Sequence, residues 1–450
     1  MKRPNIIFYF SDQQRWDTLG CYGQSLNVTP NLDRLAKEGV LFENAFTCQP
    51  VCGPARACLQ SGKYATQIGC HRNALALPQN IKTLADCFHD AGYDTAYVGK
   101  WHLASNRDSY TAPADEENFE TRAIPEERRG GYRDYWMASD VLEATSHGYD
   151  GYVFDKNGKK QEFIGYRADA INNYAIHYLQ EYKQEKPFFL FVSQIEPHHQ
   201  NDHNRFEGPD GSKEKFKSFV PPQDMVKGIG DWEASYPDYL GQCHSLDENV
   251  GRLIETLKER KVWDNTILFY TSDHGCHFCT RNQEYKRSCH ESSIHIPLLA
   301  AGGAFKGGQK IQNLVSLIDL PATLLDCAGI EKPNDFQGRS LKRLVEGTVQ
   351  DWDDCVFIQI SESEVGRAIR TSRWKYGVVA EKDPWKCSGA ELYYEKYLYD
   401  LREDPWEKEN LIKNEDYEEV RMALRIKLKE CMAKAEEKVP EIKGWHEERE

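Results

Sequence analysis

The chain has 450 residues, 40% of them hydrophobic and 28% charged, with a net charge of −14. Such a length buries a sizeable core and a closed site, and the composition excludes disordered, collagen-like and coiled-coil classes. An acidic balance argues against nucleic-acid binding, which needs a basic surface to displace counterions. No run approaches the ~20 apolar residues of a membrane-spanning helix. An anionic substrate stays open, because a few Lys, Arg and metal charges make a local positive site even in an acidic protein.

Ile6 to Phe10 is a short β-rich run that ends at Ser11-Asp12-Gln13. It is too short for a signal-peptide core, and no small-residue cleavage site follows it. It is expected to be the first strand, and the protein is expected to work in the cytoplasm. Thr29-Pro30 opens a helix, with Leu32, Leu35 and Ala36 on one face and Gly39 closing it. Asp94 to Val98 reads as a strand leading into Gly99-Lys100-Trp101-His102. Residues 169–182 are helical by periodicity. Phe188 to Val192 is a continuous apolar run, as in a strand buried on both faces. Residues 246–260 read as a helix, 266–271 and 296–301 as strands, and 316–328 as a helix. The segments 103–165 and 200–235 lack clean periodicity and read as long excursions over the sheet edge.

Alternating strands and helices predict an α/β fold, a large, mostly parallel sheet sandwiched by helices. The pattern changes after about residue 345. Val356 to Ile360 and Trp374 to Val379 look antiparallel, and a charged helix follows at roughly 416–437. Residues 1–345 are therefore expected to form an α/β domain, and 346–450 a smaller C-terminal α+β subdomain. Ligands of such sheets sit beyond the carboxyl ends of the strands, which singles out Asp12, Lys100, His102, His198 and Asp273. The fourteen cysteines are scattered and expected as free thiols.

Cys52-Gly53-Pro54-Ala55-Arg56-Ala57-Cys58-Leu59-Gln60-Ser61-Gly62 is the most informative stretch. It resembles the signature of the sulfatase family: Cys or Ser, any residue, Pro, any residue, Arg, and then a small hydroxyl residue before Gly. Ala55 stands where Ser is common, and Ser61 where Thr is common. Four more blocks resemble the same family in the same order. They are Ile6 to Gln13, Gly99 to Leu103, Thr271 to Gly275, and Leu398-Tyr399-Asp400-Leu401 with Asp404-Pro405 and Asn410-Leu411. The resemblance runs from about residue 4 to about residue 412, and it implies an alkaline-phosphatase-like fold.

The resemblance also implies roles. A separate maturation enzyme would oxidise Cys52 to formylglycine, whose hydrate offers one hydroxyl to attack sulfur and another to expel sulfate. Asp12, Gln13, Asp273 and His274, with the oxidised Cys52, would hold one divalent cation. Calcium is the first choice for oxygen ligands; magnesium, manganese and zinc are alternatives, the last two because His274 adds a nitrogen donor. Commoner sulfatases have Asp where Gln13 stands and Asn where His274 stands. Arg56 would hold the hydrated aldehyde, and Lys100 a sulfate oxygen. His102 would be the base of sulfate release. His198 would contact sulfate and protonate the leaving oxygen. Lys286, preferred over Arg287, would offset charge on that oxygen. His199 and His203 are candidates for the substrate's body, against a reading as solvated loop histidines.

The implied reaction is hydrolysis of a sulfate monoester, with a sulfated saccharide of glycosaminoglycan type as the substrate class. Gln13 and His274 also match related phosphonate and phosphate ester hydrolases, which keeps that activity as an alternative. A non-catalytic binding protein on the same fold is a second alternative. Cys276, His277, Cys279, Cys289 and His290 have the ligand types of a structural zinc site, but not the spacing of a ribbon or finger.

Overall fold

The computed structural model describes residues 3–106 and 118–445. Part of the first excursion, 107–117, and the end of the charged tail, 446–450, lie outside the described residues. Eleven strands form the main sheet: β1 (Asn5–Ser11), β2 (Val40–Phe46), β3 (Asp94–Lys100), β4 (Tyr135–Ser139), β5 (Asp150–Asp155), β6 (Lys160–Ile164), β7 (Phe188–Ser193), β8 (Thr266–Ser272), β9 (His295–Ile296), β10 (Leu298–Ala301) and β11 (Gln309–Ser316). Their order is β11-β2-β10-β8-β1-β7-β3-β4-β5-β6, with β9 beside β2.

The centre, β8-β1-β7-β3-β4, is parallel. Both flanks carry antiparallel strands: β10 against β8 and β2, and β5 against β4 and β6. The sheet is thus mixed: its centre is parallel, and beyond the antiparallel β10 the edge strand β11 again runs parallel to β2. The segment 103–165 is not merely an excursion, since it contributes three strands to one edge. The segment 200–235 runs as a long loop with one short helix at Ser212–Lys215 as far as residue 231, where the helix Trp232–Glu259 begins.

Strand alternation divides the core into two layers. Ile6, Phe8 and Phe10 point to one face and Ile7 and Tyr9 to the other. On the first face Phe191 lies 5.0 Å from Phe8 and 5.1 Å from Tyr97, and Tyr97 lies 5.2 Å from Trp136. This aromatic layer runs across four adjacent strands and is covered by α2 (Cys52–Ser61) and α3 (Leu84–Asp90). The opposite face is covered by α1 (Pro30–Glu38) and the helices Arg167–Glu181 and Trp232–Glu259. The last of these is longer than expected. Its first half contains Pro237, and its buried Tyr236 and Tyr239 pack on Phe278.

A second sheet of five strands begins at Cys355: β12 (Cys355–Ile360), β13 (Val365–Thr371), β14 (Trp374–Ala380), β15 (Leu392–Asp400) and β16 (Glu441–Lys443). The helix Glu418–Lys434 packs on it through Leu424, Leu428 and Met432. Lys375 of β14 reaches back towards the main sheet. Its ammonium lies 2.9 Å from Glu291 Oε1 and 2.8 Å from Glu407 Oε1, and it donates to the Cys289 carbonyl. Arg281 donates to the carbonyls of Trp406 and Glu407. These contacts tie the loop after β8 to the small sheet.

Gly99 has φ +103°, and a Cβ there would meet the Ser193 carbonyl oxygen at 1.9 Å. The close approach of β3 to β7 just before Lys100 therefore needs glycine. Gly99→Ala is expected to lower unfolding free energy by about 2 kcal/mol or more, measured by urea denaturation. A midpoint unchanged from wild type would contradict this packing.

Candidate active site

Three parallel strands and one helix bring the site together. β1 ends at Ser11 and delivers Asp12 and Gln13, β8 delivers Asp273 and His274, and β3 ends at Lys100. Cys52 is the first residue of α2, so backbone N–H groups of the first turn surround it. The Gly53 N–H is taken by Asn73 Oδ1 at 2.9 Å.

Asp12, Cys52, Asp273 and His274 are all buried and offer ligand atoms within 4.8 Å of one another. Cys52 Sγ lies 3.4 Å from Asp12 Oδ1 and 3.2 Å from His274 Nε2. His274 Nδ1 sits 2.9 Å from the Gly275 carbonyl. A carbonyl only accepts, so Nδ1 carries a proton and Nε2 is the nitrogen turned to the cluster. Gln13 Oε1 faces the same space, 3.4 Å from Lys286 Nζ, while the Gln13 backbone N–H donates to Asp273 Oδ1.

These residues fit a divalent cation. Asp273 Oδ2 accepts no hydrogen bond although it is buried, and its neighbour is Arg56 Nη2 at 3.4 Å. Burial, and then repulsion from Asp12, pushes the Asp273 carboxyl up to about 6. Two carboxylates, an imidazole nitrogen and an amide oxygen, with one buried carboxylate oxygen left without a donor, form a set that a cation would complete.

The cations surround this cluster. Lys100 Nζ lies 2.9 Å from Asp12 Oδ2 and 3.2 Å from Glu143 Oε2. Arg56 Nη2 lies 3.0 Å from Asp12 Oδ2, and Nη1 donates to Ser193 Oγ and the Lys100 carbonyl. Arg56 thus spans the two acids rather than the sulfur. Lys286 Nζ is 2.7 Å from Cys52 Sγ and 3.2 Å from His198 Nε2. His198 Nδ1 is held by the His199 carbonyl at 2.6 Å, so its Nε2 is an acceptor towards Lys286. His102 also helps to lower the Cys52 thiol, and its buried Nδ1 has no hydrogen-bond partner.

Electrostatics follow from that crowding. Burial pushes the Cys52 thiol up, but Lys286, Lys100 and His274 outweigh it and hold it well below the usual thiol range. Position 52 is thus a site of positive potential, suited to an anion. Burial and then Lys286 lower the His198 imidazole. Burial raises the Glu143 carboxyl, but Lys100, His198 and His102 bring it down to about 2.

All ten residues singled out in the sequence are therefore neighbours or share a neighbour. His199 packs on Tyr285 with ring centroids 4.4 Å apart, while His203 lies out at the surface. Arg287 turns away to Glu362 and Glu284. Glu143, Ser193 and Asn73 were not foreseen, since each reaches the site from a segment with no motif. Among the described residues, Cys276, His277, Cys279, Cys289 and His290 form no metal-holding group. His277 Nε2 meets the Lys286 carbonyl and His290 Nε2 the Tyr399 hydroxyl. All fourteen cysteines are free of disulfides.

Known proteins share this arrangement's sequence and fold. The family model described as Sulfatase matches residues 4–330, and that described as N-sulphoglucosamine sulphohydrolase, C-terminal, matches residues 283–434. N-acetylglucosamine-6-O-sulfatase of Bacteroides thetaiotaomicron is 26% identical, across 98% of this chain and 88% of its own. Arylsulfatase of Clostridium perfringens is 30% identical, across 93% and 92%. A solved structure of a protein in complex with its substrate D-glucosamine-2-N,6-O-disulfate aligns with a TM-score of 0.75 at 25% identity, covering 97% of this chain and 98% of that one. With matches of this extent over a site of this kind, the chain belongs to the sulfatase family and is a sulfuric ester hydrolase.

Proposed function

We propose that this sulfatase removes sulfate from a small sulfated sugar of glycosaminoglycan type, with formylglycine made from Cys52 as nucleophile. The observation that carries this reading is the position of Cys52. It stands at a helix N-terminus, against Asp12, His274 and Lys286, in a buried electropositive pocket. Once oxidised and hydrated, that side chain supplies the hydroxyl that attacks sulfur. A bound divalent cation, calcium in this proposal, would be held by Asp12, Gln13, Asp273 and His274, and would screen the charge of ester and nucleophile.

The chain's own residues do the rest. Lys100, fixed between Asp12 and Glu143, holds a sulfate oxygen through its free donor. Arg56 keeps the two acidic ligands in place and offsets their charge. His102 takes the proton from the second hydroxyl as sulfate leaves. Lys286 and His198 share one side of the pocket, where the bridging oxygen develops charge. An ammonium there stabilises it, and His198, once its Nε2 has taken up a proton from solvent, passes that proton to it from the same side. Sugar as the leaving group is supported by the relatives' own substrates, an N-acetylglucosamine 6-sulfate and a glucosamine disulfate.

Gln13 and His274 favour a second reading, a phosphonate monoester or phosphodiester hydrolase, since both depart from the commonest sulfatase ligands. On matched aryl esters, kcat/KM is expected to be at least about 10-fold higher for the sulfate than for the phosphonate. The reverse ratio would select the second reading. The peptide carrying Cys52, taken from protein made in its native host, is expected to show the mass loss of thiol-to-aldehyde conversion. A thiol intact in all of it would remove the proposed nucleophile. Lys286→Ala is expected to lower kcat on a sulfate ester by about 10²–10³-fold, in steady-state kinetics. A change below about 3-fold would exclude Lys286 from the chemical step.

A further inference from the structure

A second convergence of ligating side chains lies outside the active site. The turn between the short helix Leu142–Thr145 and β5 meets the loop that follows His198. His147, Asp202 and His203 come together there, each offering a ligand atom within 4.8 Å of the others. The two imidazoles lie side by side, 4.3 Å between centroids and 8° from parallel. His147 Nε2 is 2.8 Å from Asp202 Oδ2.

Two of the three have a hydrogen-bonding partner behind them. His203 Nδ1 meets Glu207 Oε1 at 2.6 Å. Asp202 Oδ1 accepts from Gln200 Nε2 at 2.7 Å. Asp150 Oδ1 lies 3.9 Å from His147 Nδ1. His147 Nε2, His203 Nε2 and Asp202 Oδ2 remain as inner donors. The carboxylate behind His203 and the amide behind Asp202 are an outer shell of the kind that orients metal-binding imidazoles and carboxylates, and Asp150 lies near His147 without a hydrogen bond.

We propose that His147, Asp202 and His203 bind one divalent transition-metal ion of the Zn²⁺ class, separate from the active-site cation. Two imidazoles and one carboxylate select zinc, nickel or copper over calcium and magnesium, which take oxygen ligands. Three protein ligands leave a fourth position for water. Donors ~2.0–2.1 Å from one zinc lie roughly 3.3 Å apart in a tetrahedron, so His147 Nε2 and Asp202 Oδ2, now 2.8 Å apart, would separate by about half an ångström to admit the ion. The exposure of the three side chains, 43%, 57% and 37%, leaves them free to move and open to an entering ion. Gln200 also donates to the Glu143 carbonyl and accepts from Arg167, which is paired with Glu196. An ion here would tie the 146–151 turn to the loop that holds His198.

The test is a Zn²⁺ titration of the full chain in excess Ca²⁺, with free zinc read by a competing chromophoric chelator. Wild type is expected to bind one Zn²⁺ more than His147→Ala or His203→Ala. Glu207→Gln is expected to weaken that site about 10–100-fold. Cys279→Ser, a control for zinc held by thiols, is expected to match wild type. With Co²⁺, the wild-type spectrum should show d–d bands that vanish in both histidine variants, without an intense thiolate charge-transfer band. Equal zinc stoichiometry in wild type and both histidine variants would overturn the proposal. So would a cobalt spectrum dominated by thiolate in all of them. Equal unfolding midpoints in EDTA establish that the variants are folded, and Glu207→Gln with the wild-type cobalt spectrum decides the matter if they are not. Ester hydrolysis enters none of these readings, so the outcome is independent of the proposed reaction.

Discussion

Asp12 is the group on which the rest of the site depends. It is wholly buried at the carboxyl end of the central strand, where β7 and β8 flank it. Lys100 holds it at 2.9 Å and Arg56 at 3.0 Å, with Cys52 at 3.4 Å and His274 at 3.7 Å. Burial and Cys52 would raise its pKa. Lys100, His198 and Arg56 reverse that and keep it well below the usual carboxylate range. A buried ion without such partners would cost several kcal/mol. Arg56, Lys100 and Lys286 set three positive charges against the three negative charges of Asp12, Asp273 and Glu143. The residues cancel among themselves, so a divalent cation would leave a surplus of about two positive charges for an anionic ester.

Much of this was legible in the sequence. β1, β7 and β8 are apolar runs whose boundaries fall at the first polar residue, so Asp12 and Asp273 declare themselves as strand ends. Cys52 and Arg56 are read from a single short motif. Glu143 could not be read in this way. It lies on a helix of four residues within a segment of no clean period, and its partner Lys100 is 43 residues away. β13 and β15 were hidden for a related reason. They carry Arg367 and Glu395, which look solvated in a string of letters but are buried against Glu437 and against Tyr376 and Arg425. The antiparallel flanks were missed because local patterns do not encode which strands become neighbours.

Backbone conformation carries part of the site's precision. Gln13, His102 and Arg287 all have φ near +60 to +70°, in the left-handed region that ordinary residues avoid. Each is held by bonds to its main chain. Gln13 donates to Asp273 and accepts from Tyr239, His102 donates to the Asp140 carbonyl, and Arg287 donates to the Pro50 carbonyl. Such residues persist where the surroundings over-determine them. Here they allow consecutive side chains, Gln13 after Asp12 and His102 after Trp101, to turn sharply at the ends of strands.

The link from Lys375 to Glu291 and Glu407 bears on how this enzyme can be divided. Lys286 precedes the second sheet by some seventy residues, counted to Cys355, yet its loop is anchored by that sheet's lysine and by the carbonyls that Arg281 grips. A cut in the chain at the visible change of composition would separate the lysine from its anchor. Recombination between relatives meets the same limit. A small domain exchanged alone would bring a foreign clamp to the loop that carries Lys286, so the two sheets are best exchanged together.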